Sequence, residues 1–123
     1  MAKVDMELKK AFAELQEKAI DTTQKLKLAD LQIESLKRMK QHSILTEREI
    51  STLDNDTKTF ESVGRMFIYT PLPEIKEKLK KRQALADEKI KIEENNKQYL
   101  EKNLKEAENN LRELVQQRKD AHE

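Results

Sequence analysis

Apolar residues in the first third of the chain recur at alternating steps of three and four. Up to about residue 43 there is neither Gly nor Pro, so nothing in this stretch interrupts a helix. The repeat consists of Leu8, Phe12, Leu15, Ala19, Thr22, Leu26, Ala29, Ile33 and Leu36. Leu8 and every second residue after it occupy the d positions of a heptad, and the others occupy a. This alternation predicts a coiled-coil seam rather than a broad globular face.

The last third of the chain repeats the pattern and predicts a second long helix. Its stripe consists of Ala86, Ile90, Glu93, Lys97, Leu100, Leu104, Ala107, Leu111, Leu114 and Arg118. Pro71 and Pro73 mark the start of this helix, because proline is tolerated in a first turn and disfavours helix just before it. At 1.5 Å per residue, the two helices would be about 65 and 75 Å long.

The middle of the predicted seam is polar and allows two interpretations. Thr22, Glu93 and Lys97 are either solvated weak points, which is the interpretation we favour, or a buried polar layer that fixes the register at some cost in stability. If the helices fold back antiparallel, with residue numbers across the seam adding to about 118, Thr22 lies near Lys97. The weak stretch would then be shared by both helices.

Residues 44–70 break this rhythm and predict a short helix followed by a β-hairpin. Thr46 and Glu49 have the spacing of a capping box between two apolar residues, so a short helix is expected to run to about Leu53. Threonine and aromatic residues then lie on both sides of Gly64, the only glycine of the chain. That arrangement predicts two strands joined by a turn at positive φ.

The second strand of this hairpin is apolar on both faces. Met66 and Ile68 would lie on one face, and Phe67 and Tyr69 on the other. An isolated two-stranded hairpin is marginal in water, and its open edges invite pairing with another chain. We therefore expect the hairpin to oligomerise into a larger sheet or closed barrel. The alternative is a monomer in which the hairpin packs on its own helices.

Composition excludes several classes of protein. Charged residues make up 40% of the chain, against roughly 25% in an ordinary domain, which fits long helices. No apolar run exceeds four residues, so we expect a soluble chain without a membrane span. The absence of Cys excludes a disulfide framework and a thiolate metal site, and fits a reducing compartment.

The net charge of +1 provides no general attraction for nucleic acid. The densest basic patch consists of Lys78, Lys80, Lys81 and Arg82. Contact with an acidic partner or nucleic acid is one interpretation of this patch. We favour the other, a solvated helix face neutralised by nearby acids, and expect no nucleic-acid partner.

No motif in the sequence indicates catalysis. Nothing places an acid or a third ligand beside His42 or His122, and a single glycine cannot form a phosphate-binding loop. His42 is interpreted as a solvated residue at a helix end, where it favours the dipole of the C-terminus. We therefore expect no enzyme activity, no catalytic residue, no metal site and no cofactor.

Three segments of the chain resemble a known family. They are residues 62–68 at the hairpin, residues 4–12 near the start, and residues 27–30 in the first helix. Together with a hairpin between two long helices, they are similar to β-type prefoldin subunits, and to eukaryotic ones in particular. The resemblance extends over nearly the whole chain.

The resemblance implies a mainly α fold, a long antiparallel coiled-coil helical hairpin whose central β-hairpin assembles into an oligomeric β-barrel. The chain would be one subunit, with helix 1 over residues 1–43, an assembly region over 44–70 and helix 2 over 71–123. It would join two α-type and three further β-type subunits in a heterohexamer. The residues that map onto the assembly region are Phe60, Val63, Gly64, Met66, Phe67, Ile68 and Tyr69.

The resemblance also implies a function. Such complexes capture non-native proteins at the tips of their arms without ATP, with actin and tubulin as principal clients. They pass these clients to the cytosolic chaperonin, which implies a cytoplasmic location and no membrane partner. The alternative function is that of a structural coiled-coil tether or scaffold, which joins partner complexes and binds no clients.

Apolar residues are dense where the two ends of an antiparallel chain would meet. They are Val4, Met6, Leu8, Phe12, Leu111, Leu114 and Val115. One narrow seam cannot hide all of them, so our hypothesis is that some stay exposed and bind clients, above all Val4, Met6 and Val115. The alternative is that all of them close the end of the arm.

Overall fold

The chain folds as helix, β-hairpin and helix, as the sequence predicts. The computed structural model describes residues 2–122, with side-chain surroundings for residues 6–121. Helix α1 is Ala2–Ile50, strand β1 is Phe60–Val63, strand β2 is Met66–Tyr69 and helix α2 is Leu72–His122. Neither helix, over its described residues, has an apolar stretch that could cross a membrane.

Helix α1 is longer than predicted, because it continues through residues 44–50 without a break. The predicted boundary at residue 43 and the separate short helix to Leu53 are therefore wrong. Thr46 is no helix cap: its hydroxyl donates to the carbonyl of His42 at 2.9 Å, as in a helix interior. His42 likewise lies inside the helix rather than at its end, so the predicted role near a C-terminal dipole is wrong as well.

The chain divides into two compact units. The first combines residues 1–31 with residues 93–123. Its helical segments run antiparallel, since the carboxylate of Glu7 lies 2.7 Å from the guanidinium of Arg118, and Asp30 pairs with Lys97. Residue numbers across these pairs add to about 126, rather than the expected 118. The register therefore differs from the expected one by more than a helical turn.

The predicted seam of this first unit is confirmed at nearly every position. Thr22 and Ala29 are buried, with 6% and 3% of their surface exposed. The predicted positions that are half-buried are Leu8, Leu15, Ala19, Leu26, Glu93, Lys97, Leu100, Leu104, Ala107, Leu111, Leu114 and Arg118. Phe12 is the exception, because half of its surface is exposed.

The polar residues of the seam are more enclosed than we expected. Thr22 is buried and shares a groove with Leu100 and Asn103, whereas the expected neighbour Lys97 binds Asp30 instead. The hydrogen bond that Lys97 donates to the carboxylate of Asp30 raises the pKa of Lys97 above its usual value, so this lysine is charged at neutral pH. Thr22 is thus buried, as in a buried polar layer, whereas Glu93 and Lys97 are only half-buried.

The second unit comprises residues 32–92, and its buried residues lie on α1, on α2 and at Thr70. Ile33, Leu72, Leu79 and Ala86 are its buried apolar residues. Ser43 is completely buried and donates to the carbonyl of Leu79 at 3.1 Å. Because a buried hydroxyl without a partner is costly, this bond favours one alignment of the two helical segments.

Helix α2 begins where the two prolines predict. Leu72 is its first residue, and Pro73 occupies the first turn, where its missing N–H removes no hydrogen bond. The carbonyl of Pro71 accepts hydrogen bonds from the amides of Glu74 and Ile75, at 3.0 and 3.2 Å. Only 1% of the surface of Leu72 is exposed, so the start of the helix is anchored in the core.

The hairpin is antiparallel, as the sequence predicts. Phe60 pairs with Tyr69 and Val63 pairs with Met66, so two residues form the turn. Gly64 has a φ of +63°, and no other described residue has a positive φ. A positive φ at the first central residue alone is typical of a type II′ turn, in which glycine is preferred at that position.

We expect Gly64→Ala to loosen the hairpin without a steric clash. An added Cβ would meet nothing within 4 Å, so only the left-handed backbone is strained, by about 1–2 kcal/mol. Exchange of the Thr70 amide, which donates to Thr59 at 2.9 Å, should accelerate by about fivefold to thirtyfold. Gly64→Asn should destabilise the hairpin less than Gly64→Ala, because asparagine tolerates this backbone conformation better than alanine. Equal acceleration in both variants would contradict this explanation.

Candidate assembly and client-binding surfaces

The hairpin carries six exposed apolar side chains, which we call the hairpin surface. Its members are Phe60, Val63, Met66, Phe67, Ile68 and Tyr69. Between 47% and 74% of the surface of each is exposed, with Phe67 the most exposed. Six exposed apolar side chains on one short hairpin are unusual on a monomeric protein and are typical of an interaction site.

The strand register gives the hairpin two chemically different faces. Paired residues share a face, so Phe60, Phe67 and Tyr69 lie on one side, which is aromatic. The rings of Phe60 and Tyr69 meet edge to face, with centroids 5.9 Å apart. The other face carries the aliphatic side chains of Val63 and Ile68 with Met66. The distribution of apolar residues over both faces therefore follows the prediction.

Strand β1 contacts the start of α2 through one ion pair. The Nζ of Lys78 lies 3.0 Å from Oε2 of Glu61, and this hydrogen bond raises the pKa of Lys78 above its usual value. Beside the pair lies a cavity of about 420 Å³, the hairpin groove, lined by Glu61, Ser62, Val63, Ile75, Lys78, Leu79 and Arg82. The apolar side chains of the hairpin nevertheless stay exposed. The structure therefore disagrees with the alternative in which the chain's own helices cover the hairpin.

The basic patch is partly neutralised, in the way that the favoured interpretation expects. Lys78 pairs with Glu61, and the Nζ of Lys81 lies 3.5 Å from Glu77 one turn earlier on the helix. Exposed pairs of this kind contribute little to stability. Their effect here is to reduce the positive charge that the patch presents to solvent.

The predicted client-binding residues lie at the end of the first unit and differ in exposure. Met6 is 70% exposed and Phe12 is 50% exposed. Half-buried are Leu8, Leu111, Leu114 and Val115. Exposure was expected for Val115, which is instead partly covered. Val4 lies outside the residues whose side chains are described.

A groove of about 300 Å³ runs between the helical segments beside these residues. It is lined by Ala11, Glu14, Leu15, Lys18, Ala107, Asn110, Leu111 and Leu114. Ala11 and Ala107 are small, so the helices leave space between them at this level. Ala11 lies outside the predicted stripe, although a small residue beside a seam of larger ones is a signal for such a gap.

Comparison with known proteins agrees with this architecture. The family model for the prefoldin subunit matches residues 13–118. Prefoldin subunit 1 of Danio rerio and that of Homo sapiens are each 54% identical to the chain over 118 residues, which cover 96% of this chain and 97% of each relative. Prefoldin subunit 1 of Arabidopsis thaliana is 34% identical over 107 residues, covering 87% of this chain and 84% of the relative.

A solved structure has the same fold. The crystal structure of the prefoldin beta subunit from Thermococcus strain KS-1 superposes with a TM-score of 0.71 at 18% identity, and covers 87% of this chain and 90% of that one. With the hairpin between two long helices and the family match over most of the sequence, the chain belongs to the prefoldin family, whose members are subunits of a chaperone complex.

Proposed function

We propose that this chain is a β-type subunit of a heterohexamer containing two α-type and three further β-type subunits. The exposed hairpin surface carries this proposal, since six apolar side chains on a two-stranded sheet require cover. Strands from neighbouring subunits complete a β-barrel around them, which removes the open edges. The residues that assemble are Phe60, Val63, Gly64, Met66, Phe67, Ile68 and Tyr69.

The second part of the proposal concerns clients. The end of the first unit captures non-native proteins, among them actin and tubulin, without ATP, and passes them to the cytosolic chaperonin in the cytoplasm. Exposed Met6 and Phe12 support this assignment, because a flexible thioether and an aromatic ring adapt to varied apolar surfaces. Val4, Leu8, Leu111, Leu114 and Val115 extend the same surface.

The strength of one arm explains why several are needed. Two apolar anchors at about 2 kcal/mol each give about 4 kcal/mol, which corresponds to a dissociation constant near 1 mM. That is too weak to retain a client. Linking several arms raises the overall affinity by about 10² to 10⁴ without any new contact, and each arm still releases easily.

Replacing Met6 and Phe12 by Ser in the complex purified from its own cells should reduce protection of denatured actin from aggregation. Removing one of several linked arms is expected to weaken apparent client affinity by about tenfold. Light scattering against chaperone concentration measures this. The matched control replaces Leu28 and Leu31, which are 57% and 62% exposed on the same helix. Unchanged protection by the Met6 and Phe12 variant, or equal loss in the control, would remove these two residues from the mechanism.

The competing function, a tether with its helices extended end to end, is disfavoured by one contact. Glu7 and Arg118 lie 2.7 Å apart although 111 positions separate them in the sequence. Labels near Lys3 and Ala121 distinguish the two functions in solution. A short distance between the labels supports the arm, whereas helices laid end to end would separate them by about 150 Å.

A further inference from the structure

The hairpin groove has a mixed lining, in which three apolar side chains lie beside an uncompensated positive charge. Val63, Ile75 and Leu79 supply the apolar side chains. Glu61 is neutralised by Lys78 at its edge, but Arg82 forms no ion pair with any described residue. A ligand that fits this groove must therefore offer an aliphatic side chain next to a carboxylate.

The same chain displays that combination elsewhere in the second unit. Leu53 is 40% exposed, and Asp54 and Asp56 follow it in the connection between α1 and β1. We call residues 53–56 the acidic loop. The amide of Thr57 donates to the carbonyl of Asp54 at 3.0 Å, and this hydrogen bond forms a turn in the acidic loop. Within residues 6–121, neither aspartate is engaged in an ion pair.

The hairpin groove and the acidic loop are thus complementary in charge, but no ion pair joins them within the described residues of one molecule. Since Arg82 and the two aspartates pair with nothing in the described residues, a contact between molecules can neutralise them without breaking an existing ion pair. Each molecule has one groove and one acidic loop, so the contact can form twice, reciprocally, within a two-fold dimer, or once, head to tail, between successive copies.

We propose that the acidic loop of one copy of this chain binds the hairpin groove of a second copy. Leu53 packs on Val63, Ile75 and Leu79, and a carboxylate of the loop pairs with Arg82. The contact belongs to the chain outside the heterohexamer, and it depends neither on barrel formation nor on client binding.

Charge reversal and its rescue test this contact in the isolated chain. Sedimentation velocity over a range of concentrations should show reversible self-association of the unchanged protein. Arg82→Glu should raise the concentration for half-association by about tenfold, because an attractive pair becomes repulsive. The double substitution Asp54→Lys and Asp56→Lys should raise the concentration for half-association by a similar factor. Combining all three substitutions restores opposite charges in the contact and should recover association to within about threefold of the unchanged chain.

Lys80→Glu is the matched control, because it reverses a neighbouring exposed charge that does not line the groove. It should leave association unchanged, and circular dichroism verifies that each variant keeps its helices. The proposal is wrong if the unchanged chain stays monomeric throughout, or if the triple variant associates no better than Arg82→Glu alone. It is also wrong if Arg82→Glu weakens association no more than Lys80→Glu does. Failure of the heterohexamer would appear separately, as the absence of the chain from the complex purified from cells.

Discussion

Replacing Phe67 by Ser should release the chain from its complex. Phe67 is the most exposed member of the hairpin surface, at 74%, so the substitution removes little contact within the subunit. In an assembled barrel the same ring would be buried, and burying serine in its place loses about 2–3 kcal/mol of apolar burial. The complex isolated through a tag on this chain should lose most of its other subunits, as mass spectrometry would detect.

The control for this experiment is Tyr99→Ser. Tyr99 is 63% exposed on α2 and belongs to the first unit, so the substitution removes a similar ring from a surface with no proposed partner. Its complex should keep the same mass and composition as the unchanged one. If Phe67→Ser also leaves the composition unchanged, this ring is not an assembly residue and the aromatic face must lie outside any barrel.

Leu72→Ala should have the largest effect on the stability of the chain itself. Leu72 is almost completely buried, with 1% of its surface exposed, at the start of α2. Truncating such a side chain removes buried apolar area and leaves a cavity, which together cost about 2–5 kcal/mol. Thermal unfolding followed by circular dichroism should begin about 10 °C lower than in the unchanged chain.

Leu45→Ala provides the comparison, because Leu45 lies near the same end of the second unit but is 47% exposed. That substitution should change the free energy of unfolding by less than about 1 kcal/mol. If Leu72→Ala lowers the free energy of unfolding as little as Leu45→Ala does, the measured transition does not include the core around Leu72. In that case the burial of Leu72 would contribute little to the stability of the folded chain.

The elements of the fold were predictable because their signals are strong and local. A three-four repeat free of Gly and Pro specifies each long helix, and Gly64 with its β-branched and aromatic neighbours specifies the hairpin. The short helix at Thr46 was predicted wrongly, since a Thr three residues before a Glu has the same sequence inside a helix as at its start. Only the continuation of the preceding turns distinguishes the two, and there the Thr46 hydroxyl bonds back to His42.

This same error explains the displaced register. If α1 ends at residue 43, the chain reverses earlier and each residue of α1 faces one that lies earlier in α2. Because α1 in fact continues to Ile50, the reversal lies later, and Asp30 reaches Lys97. The pairing of two helices depends on the length of their connection, which a heptad repeat alone does not determine.

Of the candidate sites, the hairpin surface was predictable and the grooves were not. Two apolar faces on one short strand are visible in the sequence. The hairpin groove brings Val63 together with Leu79 and Arg82, and no local pattern indicates their proximity. The exposure of Phe12 was also unpredictable from the stripe alone, since the residue occupies an a position near the end of the seam, where its partner helix leaves it half uncovered.

The two strands are attached to the helices in very different ways. Nine residues, 51–59, join α1 to β1, and all except Thr59 are exposed. Only Thr70 and Pro71 join β2 to α2. Thr70 is buried, and so is Leu72, the first residue of α2. A pull along α2 therefore reaches the sheet across two residues, whereas a pull along α1 must first open the turns of a nine-residue connection. The connection between β2 and α2 thus transmits mechanical load to the hairpin more directly than the connection between α1 and β1.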